Sequence, residues 1–216
     1  MLSKRCKRVQ FLTFAVWLSV IVVPLVSAQA KLPEPLLDYS VKETFVGLTS
    51  FIDVTEDLDK VAGLSEATIA VRFKTSTMGV MSLFSASNDQ FPDGEVCFPM
   101  AWGNLMCHVR GPGNAAGGKA HPTKVVYTAY QNICDGKWHV AILVLGKDGT
   151  AVYVDGTKLA SGDVGVCFAS VEGLNTMSIG RNVHDEGGEW YYEGDIDYVQ
   201  IYDQVLTEEQ IVELSK

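Results

Sequence analysis

His108 and Arg110 stand two residues apart in a short β-prone run, residues 105–110. Strand alternation puts both on one sheet face, where an imidazole beside a guanidinium makes a cationic pair suited to a carboxylate. Later in the chain Arg181 and His184 precede the pair Gly187-Gly188 and the aromatic cluster Trp190-Tyr191-Tyr192. Aromatics and cations beside a glycine loop suit a sugar, which needs an apolar wall and donors for any acid group it carries. A plainer reading has Arg110 paired with one of many carboxylates and Trp190 covering the core edge. Glu193, Asp195 and Asp197 alternate along one strand, and carboxylates on one face can supply the acid and nucleophile of retaining glycoside hydrolysis. The four histidines, His108, His121, His139 and His184, show no H-E-x-x-H spacing, and no G-x-S-x-G elbow marks a serine nucleophile.

The elements that must carry these residues are short strands punctuated by turns. Residues 68–74, 80–86, 96–100 and 105–110 read as strands, the last two flanking a turn at Trp102-Gly103-Asn104. Residues 111–118 are glycine-rich and read as a surface loop. Residues 137–145 are the clearest strand, followed through Lys147-Asp148-Gly149 and then Asp155-Gly156 by two more antiparallel strands. Only the C-terminus reads as helical: Thr207 with Gln210 forms a capping box, and Ile211, Val212 and Leu214 supply an apolar face.

The first thirty residues have the form of a signal peptide. Lys4, Arg5, Lys7 and Arg8 precede an apolar run over residues 11–26, and Ala28-Gln29-Ala30 fits a cleavage site. No stable membrane insertion is expected after its removal. Residues 31–40, with Pro33 and Pro35, read as an extended lead-in, and residues 41–216 suffice for one buried domain. Removal takes four of the 17 basic residues and none of the 26 acidic ones, leaving a net charge of −13. Such a surface repels nucleic acid. Cys6 leaves with the signal, so Cys97, Cys107, Cys134 and Cys167 form an even set, expected as two disulfides of open connectivity in a secreted protein. None of their spacings is that of a zinc pair.

Two distant segments carry a resemblance. Thr68-Ile69-Ala70-Val71-Arg72-Phe73 with Ser82-Leu83-Phe84-Ser85 is one; the other runs from Ser178-Ile179-Gly180-Arg181 through Asp195-Ile196-Asp197-Tyr198 to Thr207-Glu208-Glu209-Gln210-Ile211. Together they resemble the sialic-acid-binding lectin module at the N-terminus of many sialidases, a carbohydrate-binding module of the concanavalin A-like/laminin-G superfamily. The resemblance implies an all-β fold: an antiparallel two-sheet jelly-roll sandwich with a short C-terminal helix, residues 41–54 lying beside 195–202. It also implies glycan binding without catalysis, through arginines on a concave sheet that meet the acid group of a sugar. Arg110 matches the arginine of the family's Glu-x-Arg strand, and His108 stands where its glutamate would be. Val80 matches an apolar sugar contact. His184 falls at the second arginine position, with Arg181 three residues earlier as another source, and Trp190 at an aromatic one. Folds of this kind often hold a structural calcium, for which Asp53 and Asp195 are the candidates; no other cofactor is implied.

The expected function is therefore a secreted, non-catalytic lectin for sialylated or other acidic glycans. The alternatives are a truncated sialidase lacking its catalytic propeller, a laminin-G-like protein-interaction module, and a laminarinase-type hydrolase using Glu193, Asp195 and Asp197. A signal at one end and a capped helix at the other are expected of a whole gene product. Ser161-x-Asp163-x-Gly165-x-Cys167-Phe168 approximates the Asp-box of sialidase propellers, but one copy in a sandwich reads as coincidence. Histidine adds charge only when protonated and ordinarily titrates near about 6.5, so affinity for an acidic sugar is expected to rise as pH falls from about 8 to about 6. Titration with sialyllactose and lactose at both pH values checks this; a flat profile excludes the histidines from recognition.

Overall fold

The computed structural model describes residues 30–90, 94–110, 124–128, 133–163, 165–183 and 189–216. In chain order these form β1 (Leu37–Val46), β2 (Ile52–Asp53), α1 (Leu58–Val61), β3 (Ala67–Lys74), β4 (Val80–Ser87), β5 (Glu95–Ala101), β6 (Asn104–Arg110) and β7 (Lys124–Tyr127). They continue with β8 (Trp138–Gly146), β9 (Gly149–Val154), β10 (Thr157–Gly162), β11 (Thr176–Ile179), β12 (Glu193–Tyr202) and α2 (Glu208–Leu214). One sheet runs β1-β12-β3-β8-β9-β10 and the other β2-β11-β4-β5-β6-β7, and every pairing is antiparallel. This is the expected two-sheet sandwich with a short C-terminal helix.

Period-two alternation decides what each strand buries. On β3, Ile69, Val71 and Phe73 enter the main core, where they join Leu83 and Phe84 of β4, Phe98 of β5, Leu105 of β6, Leu143 of β8 and Ile196 of β12. Ala70 points the other way and is still buried, because α2 packs on that outer face. Ile211 and Leu214 of the helix cover Ala70, Ile142, Val144, Tyr153 and Tyr202 there. The capping box forms as read: Gln210 N donates to Thr207 Oγ1 at 3.3 Å and Thr207 N to Gln210 Oε1 at 2.9 Å. Val212, grouped with the apolar face from sequence, is instead exposed, since one residue turns it about 100° from Ile211.

Other expectations need correction. β1 starts at Leu37, inside the supposed lead-in, because beyond Pro35 no residue lacks the N–H a strand needs. Its pairing with β12 ends at Val46; Ile52–Asp53 crosses to the other sheet and pairs with β11. The β5–β6 turn is Trp102-Gly103, with φ of 50° and 79°, and Ala101 opposite Asn104. Asp155 and Gly156, at 48° and 76°, show the doubly positive turn their sequence demands. Helix α1 is a single turn, too short to show a helical period in the sequence.

The two expected disulfides are absent: Cys97, Cys107, Cys134 and Cys167 are separate buried thiols. Cys97 lies opposite His108, so Cys107, one residue earlier, faces the other side of the sheet. Cys107, Cys134 and Cys167 belong to the core, whereas Cys97 lies on the outer face, 3.3 Å from Ser82 Oγ. An even count does not bring sulfur atoms to bonding geometry. Burial raises all four thiols, Cys167 to about 11, which disfavours the reactive thiolate.

At the start of β8, His139 ties two turns together. Its Nδ1 lies 2.7 Å from Asp155 Oδ2 and its Nε2 3.1 Å from Asp135 Oδ1. Burial pulls its pKa down, but hydrogen bonds and charge from Asp155 and Asp135 outweigh that and raise it. A raised folded pKa stabilises the protein fully below the unfolded value of about 6.5, and that stability is lost as pH rises through the folded value. Melting temperature is therefore expected to fall on raising pH from about 6 to about 8.5, and His139→Gln to flatten that slope. Thermal melts of both proteins across the range check it; parallel slopes remove His139 as the cause.

Candidate functional site

The second sheet turns a polar row away from the core. On β4 the outward residues are Ser82, Ser85 and Ser87, while Met81, Leu83, Phe84 and Ala86 face inward. Glu95 lies between Ser87 of β4 and Arg110 of β6 in register, so these three side chains form one row across three strands. His108, two residues from Arg110, shares their face.

Ser87, Glu95 and His108 are buried on this face, while Arg110 keeps part of its side chain in solvent. After β11, Gly180 N donates to Leu83 O at 3.0 Å and the chain doubles back across the outer face. Ser85 Oγ donates to Arg181 O at 2.8 Å and Ser87 Oγ to Asn182 Oδ1 at 3.0 Å. Asn182 and Trp190 exchange both backbone hydrogen bonds, at 3.2 and 3.0 Å, and Tyr192 N returns to Gly180 O at 2.8 Å. Gly180 makes the reversal possible: its φ is +78°, and a Cβ there would stand 2.5 Å from the Phe45 ring.

Glu95 is the centre of the assembly and is completely buried. Its Oε2 accepts from Asn182 Nδ2 at 2.7 Å. Its Oε1 lies 2.8 Å from His108 Nδ1 and 3.5 Å from Arg110 Nε. These last contacts are electrostatic, with angles away from hydrogen-bond alignment. Arg110 Nη2 approaches His108 Nε2 at 3.3 Å, which assigns the ring proton to Nδ1 if Nε2 accepts. The Trp190 indole stacks on His108, ring centroids 6.3 Å apart and planes at 27°.

Of the residues singled out from sequence, His108, Arg110 and Trp190 are thus brought together. Arg181 follows β11, which β4 and β5 separate from β6, and its guanidinium goes elsewhere. It lies 3.6 Å from the Phe51 ring centroid, 3.3 Å from Ser178 Oγ and 3.6 Å from Glu189. Its Nε is buried with no hydrogen-bond partner among the described residues. Val80 pairs with Ala101 at the opposite end of the strands from the Ser87–Glu95–Arg110 row, about 20 Å away at 3.3 Å per residue. His184 lies outside the described residues, as does the Gly187-Gly188 pair. Glu95 and Asn182 were missed. The only sequence signal for Glu95 was hairpin register, and a turn at Trp102-Gly103 places it opposite Arg110.

The remaining candidates lie elsewhere. Asp195 and Asp197 sit on the outer face of the first sheet, Asp195 2.6 Å from Lys74 and Asp197 2.5 Å from Arg72. The hydrogen bond from Lys74 holds Asp195 below the usual carboxylate range, the reverse of what a general acid needs. Asp53 accepts from Thr55 N at 2.9 Å on the second sheet, so the two calcium candidates do not converge. Among the described residues no group of three or more His, Cys, Asp or Glu is placed to hold a metal ion. A cleft of about 450 Å³ between the β8–β9 hairpin and β10, lined in part by Glu66, Lys147, Asp148, Ser161 and Asp163, shares no residue with the Glu95 cluster.

A family model described as the concanavalin A-like lectin/glucanases superfamily matches residues 52–212, and the chain belongs to that family. No curated protein sequence matches significantly. Among solved structures the chain is similar to the CBM40 module of the Ruminococcus gnavus IT-sialidase bound to α2,3-sialyllactose. Identity there is 14%, the TM-score 0.73, and coverage 85% of this chain and 100% of that one. The same module has been solved with α2,6-sialyllactose, at a TM-score of 0.72. The leech intramolecular trans-sialidase matches at 14% identity and a TM-score of 0.70, covering 85% of this chain and 28% of that one. These likenesses establish the fold.

Gly180→Ala is expected to destabilise the protein by about 2 kcal/mol or more, since it combines left-handed strain with a clash against Phe45. Denaturant midpoints check this; a change under about 0.5 kcal/mol means that the segment re-routes without cost.

Proposed function

We propose that this chain is a carbohydrate-binding lectin module without catalysis, exported through its N-terminal segment, and that it takes sialylated or other acidic glycans at the outer face of its second sheet. The observation that carries this reading is the grouping of Arg110, His108 and Trp190 on that face. Arg110 keeps 21% of its side chain exposed, and Trp190 is half-buried, stacked on His108. A guanidinium offers paired donors to a carboxylate, and an indole offers a flat apolar wall to a pyranose. The CBM40 structures similar to this chain are bound to sialyllactose, which supports the same ligand class here. The pairing of Asp195 with Lys74 and of Asp197 with Arg72 supports binding over hydrolysis.

A glycan array followed by titration with sialyllactose and lactose tests the reading. Sialyllactose is expected to bind more tightly, and Arg110→Ala to weaken it by about tenfold, the lower end for a charged hydrogen bond, because Glu95 shares the guanidinium. The variant also leaves Glu95 buried without that partner, next to the incoming ligand. Equal binding of the two sugars, or undiminished binding by Arg110→Ala, moves the site elsewhere.

A further inference from the structure

A buried carboxylate of the protein itself already stands against Arg110, where an acidic sugar would bring its own. We propose that Glu95 is an internal counter-anion that sets the ligand preference of this face, discounting the charge of an acidic sugar and leaving its neutral groups to supply most of the affinity. The inference rests on the glycan reading of Arg110 and deepens it.

Three observations converge. Register fixes Glu95 directly opposite Arg110 on the neighbouring strand. Oε2 accepts from Asn182 Nδ2 at 2.7 Å, and Oε1 faces His108 Nδ1 at 2.8 Å and Arg110 Nε at 3.5 Å in electrostatic contact. The residue has no exposed surface, so water does not screen its charge. Glu95 cannot swing aside without stripping Asn182 of its acceptor, and Asn182 is also held by Ser87. A carboxylate reaching the exposed side of Arg110 therefore meets a guanidinium whose field is largely cancelled and a like charge just behind it. Hydroxyl and amide groups of a sugar suffer no such repulsion.

The test compares α2,3-sialyllactose with its methyl ester, the same sugar without the charge, on the whole protein at one pH and ionic strength. Wild type is expected to favour the acid by less than about fivefold, below the roughly ten- to hundredfold of a full charged hydrogen bond. Glu95→Gln keeps an oxygen for Asn182, removes the charge, and is expected to widen the preference at least about threefold further. A wild-type preference above about fivefold overturns the inference, as does a folded Glu95→Gln variant with no wider gap. If that variant fails to fold, the wild-type comparison alone decides. If the folded proteins bind neither sugar, the glycan reading itself falls and the inference with it.

Discussion

Burying one face of each sheet leaves the opposite face to be managed, and most of this protein beyond its core follows from that constraint. Alternation cannot place every apolar residue inward, because strands carry side chains on both sides. The first sheet solves the problem by division. Part of its outer face is apolar and lies under α2, with Ile211 and Leu214 over Ala70, Ile142 and Tyr153. The rest carries Arg72–Asp197 and Lys74–Asp195 pairs, with Trp138 lying 4.6 Å from the Arg72 guanidinium and 5.0 Å from the Lys74 ammonium.

The second sheet manages its outer face by covering polar residues with backbone. Ser85 and Ser87 donate to the segment that follows Gly180, and Asn182 reaches down to Glu95. A carboxylate removed from water is tolerated only where donors and cations surround it. That requirement explains why His108, Arg110 and Asn182, from two different parts of the chain, all point at one residue. In the proposed glycan reading, the groups that would meet an acidic sugar are also those placed around Glu95.

The carboxylates Asp195 and Asp197 show how composition misleads without partners. Their spacing suits a hydrolase, yet each is matched by a cation on the adjacent strand. The calcium candidates fail to converge for a similar reason, since Asp195 and Asp53 belong to different sheets. The cysteines repeat the lesson in another form. Parity along β5 and β6 sends Cys97 and Cys107 to opposite faces whatever their number.

What the sequence determined by itself was local: strand spans such as β3 and β8, the Asp155-Gly156 turn, the Thr207 cap, and the placing of His108 and Arg110 on one face. Each depends on side-chain period or on the backbone freedom of one or two residues, and these are properties of neighbours in the chain. The family framework was legible too, in the runs around Ser82 and Gly180. Only the tertiary structure decided the composition of the site. Glu95 reached Arg110 through the hairpin register that the Trp102-Gly103 turn sets. Asn182 and Trp190 arrived through a reversal at Gly180, while Arg181 was drawn away to the Phe51 ring and Val80 was left at the far end of the strands. Glu95 alone is joined to residues 13 and 87 positions away, His108 and Asn182. Such pairings are set by which buried charge finds which partner, and no local period encodes that choice.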